Sequence, residues 1–560
     1  MTSVDRPIDR RLFLKGIAAA SAGVIAAKNR AVEGAETKLS AEHRQAVNRR
    51  RRIVVQYDAQ NEYQLEFDKW LDFRFRYVDE PGSQIDSIFW DLGRLGQVLY
   101  PSEFLDQMSA AGLDDWRRRG IDMAGQLIEA TRKRNLEVFW HHRVSEVDID
   151  ATGSGAAWKE KPGPLKLAHP DWTLKTWWPH GLWDFSVPDV RECTVKTLRE
   201  VVERYDVDGV QLDFARHVPF LPIGRQWELR GHLTSLVRDV RSMLQQRAAS
   251  RKRPLLLAAK VPQNLRGCHA DGFDVETWAR EELVDIFTLG SRSMDVDVAA
   301  FKAFTAGRSI KLQPCFDDHH TTDGYRWAPI EFLRGVFANW WEQGADSVVT
   351  FNWSNAPPDV CTRLGVSPGP LSQQIAYREI GSRETMAWKD KIYAVERRGG
   401  YPWAEGYFNR NDDAPLPLLW KAGGEGTLRV RVSDDLAAAG NRLRDSFLRV
   451  VLFNAEQQDR LVLRWNGHLL EERARDSSWK DPQIFSPRPQ PDSGGPGVYR
   501  IDPEQRLLCL DFAVPAATTQ VGENVLQLGL ATQPAEKPRN ADIKVEKVEL
   551  HVRYVANAAS

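Results

Sequence analysis

The sequence predicts two folded parts in tandem: a (β/α)8 TIM barrel of the α/β class, then an all-β, jelly-roll-like sandwich. Three observations lead there. From Arg52 to about Asn355, short apolar runs alternate with helical stretches, the signature of repeated βα units. That region is roughly 300 residues long, within the range of such barrels. Beyond it, short alternating strands with turn signals and no long helices take over. A chain of 560 residues is also too long for one ordinary core.

The elements follow in order. Arg10-Arg11-Leu12-Phe13-Leu14-Lys15 precedes a small-residue apolar run from Gly16 to Ala27, too short to span a bilayer. The pattern resembles a twin-arginine signal. Residues 1–35 are therefore expected to engage the twin-arginine export machinery of a bacterium and be removed. The mature chain is then periplasmic or extracellular, with no transmembrane span. A charged spacer, 36–52, leads into the barrel, assigned to 53–370.

Barrel strands are expected at Ile53–Tyr57, Ser87–Trp90, Leu136–His141, Gly209–Asp213, Leu255–Val261, Ile286–Leu289, Ile310–Phe316 and Ser347–Asn352. Helices are expected at Trp116–Arg134, Glu192–Tyr205, Gln226–Ala249 and Ile330–Gln343. The long stretch Ser145 to Asp184 is rich in Trp and Pro, and reads as either a ligand wall or an apolar plug. A helical connection, 371–395, precedes the sandwich at 396–560. Its strands are expected at Thr427–Val432, Phe447–Phe453, Arg460–Trp465, Leu507–Phe512, Asn524–Leu530 and Val545–Tyr554, with Pro482 to Gly497 as a loop.

Composition excludes several functions. Lys+Arg 76 against Asp+Glu 77 leaves a formal charge of -1, so nucleic acid is not an expected partner. The five cysteines lack Cys-x-x-Cys spacing, which removes a zinc ribbon or dithiol site. No Gly-x-Ser-x-Gly elbow is present, and Gly153-Ser-Gly155 lacks the spacing of a nucleotide loop, so no cofactor is expected. His141-His142 and Asp317-Asp318-His319-His320 invite a metal. Neighbours along a strand point to opposite faces, however, and no His-x-His spacing occurs, so no metal is expected.

In a parallel barrel, active sites form at the C-terminal ends of the strands. Asp213 ends the fourth strand, next to Arg216 and His217. The other ends offer Asp58; Trp90 and Asp91; His141, His142, Arg143 and Glu146; Lys260; Arg292; Asp317, Asp318 and His319; Asn352 and Trp353. Carboxylates, imidazoles, cations and indoles on one rim suit the binding and cleavage of a hydroxyl-rich ligand. Glycoside cleavage needs two carboxyl groups, one to protonate the departing oxygen and one to attack or to activate water. Asp213 is the expected nucleophile or base. Asp317 ranks first as its partner, then Glu146, with Asp91 also at the rim. The remaining rim groups are expected to contact the carbohydrate.

The motifs His169-Pro-Asp-Trp172, Trp183-Asp-Phe-Ser-Val-Pro-Asp-Val-Arg191, Asp206-Val-Asp-Gly-Val-Gln-Leu-Asp213 and Asp274-Val-Glu-Thr-Trp278 with Leu283-Val-Asp285-Ile-Phe resemble the family-10-like glycosyl hydrolase group of TIM barrels. The resemblance implies an exported glycoside hydrolase acting on a polysaccharide or oligosaccharide. It aligns Asp213 with the acidic residue ending the fourth strand. That group often carries a second carboxylate directly afterwards; here Phe214, Ala215 and Arg216 follow, which leaves the acid open. The sandwich is similar to jelly-roll modules appended to glycosidases. Two other classes remain: a catalytically silent, glycan-binding barrel, and a polysaccharide lyase using Lys260, Arg216 or His217 to neutralise a uronate.

Overall fold

The computed structural model describes residues 39–58, 65–109, 111–146, 162–176, 180–215, 217–291, 293–317, 325, 328–351, 353, 369–397, 414–420, 424–481, 507–531 and 542–555. The arginine pair and its apolar run lie outside them. Among the described residues no helix is long and apolar enough to cross a membrane.

Eight parallel strands close a barrel: β1 (Ile53–Asp58), β2 (Ile85–Arg94), β3 (Glu137–Arg143), β4 (Gly209–Asp213), β5 (Leu256–Val261), β6 (Ile286–Leu289), β7 (Lys311–Asp317) and β8 (Val348–Phe351). β1 pairs with both β2 and β8, which completes the ring. The fourth and sixth strands match the sequence expectation residue for residue, and the others differ at their ends.

The helices show local control by single residues. The stretch expected as one helix, Trp116–Arg134, is two, Ala111–Arg118 and α2 (Met123–Lys133), counting α1 as Ala41–Val47. Gly120 at φ +77° breaks it, and the Asp122 side chain caps the restart by accepting from Gly125 N. Helix α3 (Pro188–Arg204) opens on Pro188, which suits a first turn, where no N–H is needed. Helix α4 spans Ile330–Glu342.

Alternation along each strand divides the barrel into two cores. Outward side chains such as Trp90, Trp140, Leu212, Phe287 and Phe316 pack beneath the helices. Inward ones, including Val54, Phe89, Phe139, Leu256, Ile286, Val349 and Phe351, form a separate cluster into which Val47 of α1 inserts. Gly209 opens β4 because a Cβ there would lie 2.3 Å from the Phe139 ring and 2.6 Å from Leu256 O. Near the strand starts, Arg51 pairs with Glu137 (2.6 Å), and Asp285 with Arg241 (2.7 Å) and His43 (2.8 Å).

The C-terminal strands are β9 (Lys391–Ala394), β10 (Leu418–Trp420), β11 (Glu425–Val432), β12 (Leu443–Phe453), β13 (Arg460–Trp465), β14 (His468–Leu469), β15 (Glu471–Asp476), β16 (Leu507–Ala513), β17 (Gly522–Ala531) and β18 (Ile543–Tyr554). One antiparallel sheet runs β9-β18-β12-β16-β15, with β10 also on β18; the other runs β11-β17-β13-β14. A shared apolar core, including Leu428, Leu448, Leu452, Leu463, Trp465 and Leu550, lies between them. β9 falls inside the stretch expected to be helical, which holds helices Gly369–Glu379 and Arg383–Met386 before it.

Candidate active site

Asp213 faces into the barrel at the tip of β4 and is 1% exposed. Ala215 N donates to its Oδ1 (2.9 Å). Its Oδ2 lies 3.3 Å from His141 Nε2. Burial alone would raise this carboxyl. The Lys260 charge, the His141 hydrogen bond and the Arg143 guanidinium outweigh burial and hold it well below the usual carboxylate range.

Beneath Asp213 runs a layer of polar side chains. His141 Nδ1 donates to Gln211 Oε1 (2.6 Å), since an amide oxygen only accepts. Gln211 Nε2 and Gln313 Nε2 both donate to Thr288 Oγ1, at 2.6 and 2.7 Å. Lys260 Nζ donates to Gln56 Oε1 (3.1 Å) and lies 4.3 Å from the Phe351 ring centre. Gln56 Nε2 sits 3.2 Å from His141 Nε2. This ring of contacts crosses β1, β3, β4, β5, β6 and β7, and fixes the imidazole under the carboxylate.

Asp317, at the tip of β7, shares the inward face and is fully buried. Two residues before it, Cys315 points the same way. Burial pushes the Cys315 thiol up to about 12, with Lys260 opposing and the negative charges of Asp317 and Asp213 adding. All three charges therefore act on one small region of the barrel interior.

A second network lies beside the first. Arg143 Nε is 2.7 Å from Asp91 Oδ2, and its Nη1 donates to Glu146 Oε2 at 2.5 Å. Glu146 also pairs with His217 Nδ1, while Arg94 Nη1 stands 3.8 Å away. His217 adopts φ +50°, unusual for a residue with a Cβ, which turns its ring onto Glu146.

These positions sort the sequence candidates. Asp213, Asp91, His141, Arg143, Lys260 and Asp317 come together at the inward tips. Glu146, expected as an alternative catalytic carboxylate, and His217 join them through ion pairs, Glu146 engaging Arg143 with one oxygen and His217 with the other. Trp90 points outward, stacks on Tyr57 (5.0 Å) and donates to Thr131 Oγ1 (2.9 Å), so it packs a helix and does not line the mouth. Trp353 is likewise buried, donating to Phe316 O (3.0 Å) beside Phe337. His142, next to inward His141, faces the outer layer. Among the described residues its ring has no hydrogen-bond partner, and burial pushes its pKa down to about 3, with His141 adding. Arg216, Arg292, Asp318, His319, Asn352 and the side chain of Asp58 lie outside the described residues. Sequence reasoning missed Gln56, Gln211, Thr288, Gln313, Cys315 and Arg94. Most are uncharged, and the available signal was their even spacing behind a strand-tip residue.

Among the described residues, no group of three or more His, Cys, Asp or Glu side chains has the arrangement to hold a metal ion.

Residues 77–220 match the family model described as glycosyl hydrolase-like 10. Glycosyl hydrolase DigH of Escherichia coli (strain K12) is 27% identical over 134 residues, 23% of this chain and 30% of that protein. Glycosyl hydrolase YngK of Bacillus subtilis (strain 168) is 30% identical over 94 residues, 17% of this chain and 18% of that protein. The match thus spans less than a third of the length of these curated relatives. Among solved structures, a GH18 chitinase from Pseudoalteromonas aurantia aligns with 54% of this chain and 94% of its own, at 12% identity and a TM-score of 0.33. The matched segment includes β2, β3 and β4 of the TIM barrel, which carry Asp91, His141, Arg143 and Asp213, so the likeness to glycosyl hydrolase-like 10 falls on the strands that build this site.

Proposed function

We propose that this protein is an exported glycoside hydrolase cleaving a polysaccharide or oligosaccharide, with Asp213 as nucleophile or general base. The observation that carries this reading is the ionised, oriented Asp213 carboxylate at the tip of β4, on the same inward face as Asp317. A buried carboxylate kept charged by Lys260, His141 and Arg143 is suited to attack an anomeric carbon or to take a proton from water. In this reading Asp317 takes up a proton before the reaction and hands it to the departing glycosidic oxygen, so that the leaving group departs as an alcohol. The twin-arginine-like N-terminus supports export, and the likeness to the glycosyl hydrolases DigH and YngK supports hydrolysis.

The test is incubation of the mature protein with plant, algal and bacterial polysaccharides, following reducing ends and ultraviolet absorbance together, beside Asp213→Asn. Reducing ends without absorbance, lost in the variant, are expected. An unsaturated, absorbing product makes the protein a lyase instead. Retained binding with no product from either protein makes it a silent glycan-binding barrel.

A further inference from the structure

The outer face of the larger sandwich sheet is charged, yet shielded from water. Leu448, Val450, Leu510 and Leu550 fill the sandwich core, so Arg449, Asp511, Lys547, Glu549 and His551 point away from it. Lys547 is 4% exposed and Glu549 6%. Charges at this depth persist only when paired. Lys547 Nζ donates to Asp481 Oδ2 (3.0 Å) and lies 3.4 Å from Glu549 Oε1. His551 Nε2 is 2.8 Å from Glu549 Oε2. Burial would raise the Glu549 carboxyl, but Lys547, His551 and Tyr325 hold it well below its ordinary range.

The barrel takes part in this cluster. Tyr325, beyond the tip of β7, donates its hydroxyl proton to Glu549 Oε1 at 2.6 Å, and Lys547 Nζ lies 4.5 Å from its ring centre. The same ring stacks on Phe332 of α4 at 3.9 Å. Phe332 in turn meets Phe316 at 6.1 Å, and Phe316 adjoins Asp317. A continuous line of contacts leads from a sandwich carboxylate to the strand tip that holds a candidate acid. A second tie exists after β6, where Ser293 Oγ donates to Glu396 Oε1 (2.7 Å), just past β9.

We infer that Tyr325 and Glu549 form a positioning pair through which the sandwich holds the tip of β7 and the orientation of Asp317. The sandwich is then part of the working site, and its larger sheet offers this face to the barrel. The effect on catalysis rests on the glycosidase reading above; the effect on local order does not.

Tyr325→Phe removes one hydroxyl and keeps the ring. Hydrogen exchange followed by mass spectrometry on the full chain is expected to quicken about tenfold at the end of β7 and the start of α4, while β12 and β16 stay unchanged. On a substrate the wild type cleaves, kcat is expected to fall about tenfold with KM held within about twofold. Arg473→Ala is the control: Arg473 covers Phe447 on the same sheet (3.9 Å to the ring centre), and its loss should leave both readouts unmoved. Unchanged exchange at β7 in Tyr325→Phe, or an equal response in Arg473→Ala, overturns the inference. A wild type that cleaves no glycan sinks the hydrolase reading, while the exchange data still decide the positioning role.

Discussion

His141 Nε2 stands 3.3 Å from Asp213 Oδ2, across two neighbouring strands. The opposite nitrogen of the imidazole is anchored on Gln211, and the other carboxylate oxygen on Ala215 N. Neither group can rotate without losing a hydrogen bond. Asp213 is therefore presented as a fixed, charged group, which suits a nucleophile or base and disfavours a proton donor. Asp213→Asn, which keeps the shape and the bond from Ala215, is expected to lower kcat/KM by at least about 10³-fold on any glycan the wild type cleaves. Circular dichroism on the same sample checks that the fold persists.

Lys260 is the largest of the charges that lower the Asp213 pKa. A depressed carboxyl stays ionised until the pH falls through its lowered value, so the wild type is expected to keep its activity well into acid. Lys260→Met removes the opposing cation while burial remains, and the carboxyl rises. The acid limb of kcat/KM is then expected to move to higher pH by at least about one unit, on the scale of one lost close charge. A limb that stays in place shows that another group controls it.

His142 makes an independent prediction about stability. Its folded pKa is about 3 against an ordinary value of 6.5, so below pH 6.5 the unfolded chain binds the proton and the folded chain does not. Stability is thus fully present above that value and is lost as pH falls toward 3. Between about pH 6.5 and about pH 4.5 the loss amounts to roughly 2–3 kcal/mol from this group. His142→Phe removes the titration, and urea unfolding at the two pH values should show a difference smaller by about that amount. Equal pH dependence in both proteins counts against a buried neutral ring.

Gly209→Ala tests packing between the strands. The added methyl would meet the Phe139 ring at 2.3 Å and Leu256 O at 2.6 Å, and the backbone oxygen has little freedom to yield. A loss of about 3 kcal/mol is expected in denaturant unfolding. Because Phe139 and His141 face the same way on β3, activity should fall along with stability.

Much of this was legible in the chain. The run Gly209 to Asp213 is short, apolar and flanked by turns, so its limits and its terminal carboxylate could be read directly. Parity, applied above only to the metal question, also sorts the rim residues. If Asp91 faces inward, Trp90 must face outward; if His141 faces inward, His142 cannot. The same even spacing behind Asp213 and Asp317 points to Gln211, Gln313 and Cys315. Trp353 lies past the end of β8, where strand parity no longer applies, and only packing against Phe316 and Phe337 places it. The meeting of Glu146 with His217 was beyond reach, because it depends on two loops and a left-handed backbone at residue 217. β9 was hidden for another reason: four residues, Lys391 to Ala394, are too few to show a period.

Helix α1 has a consequence for traffic. Val47 seats in the inward cluster with Phe89, Phe139 and Leu256, and the Arg51–Glu137 pair lies beside it. The barrel is therefore a cup with a floor and one rim. A molecule that reaches Asp213 must enter over that rim and depart over it as well, because Val47 closes the opposite end of the axis.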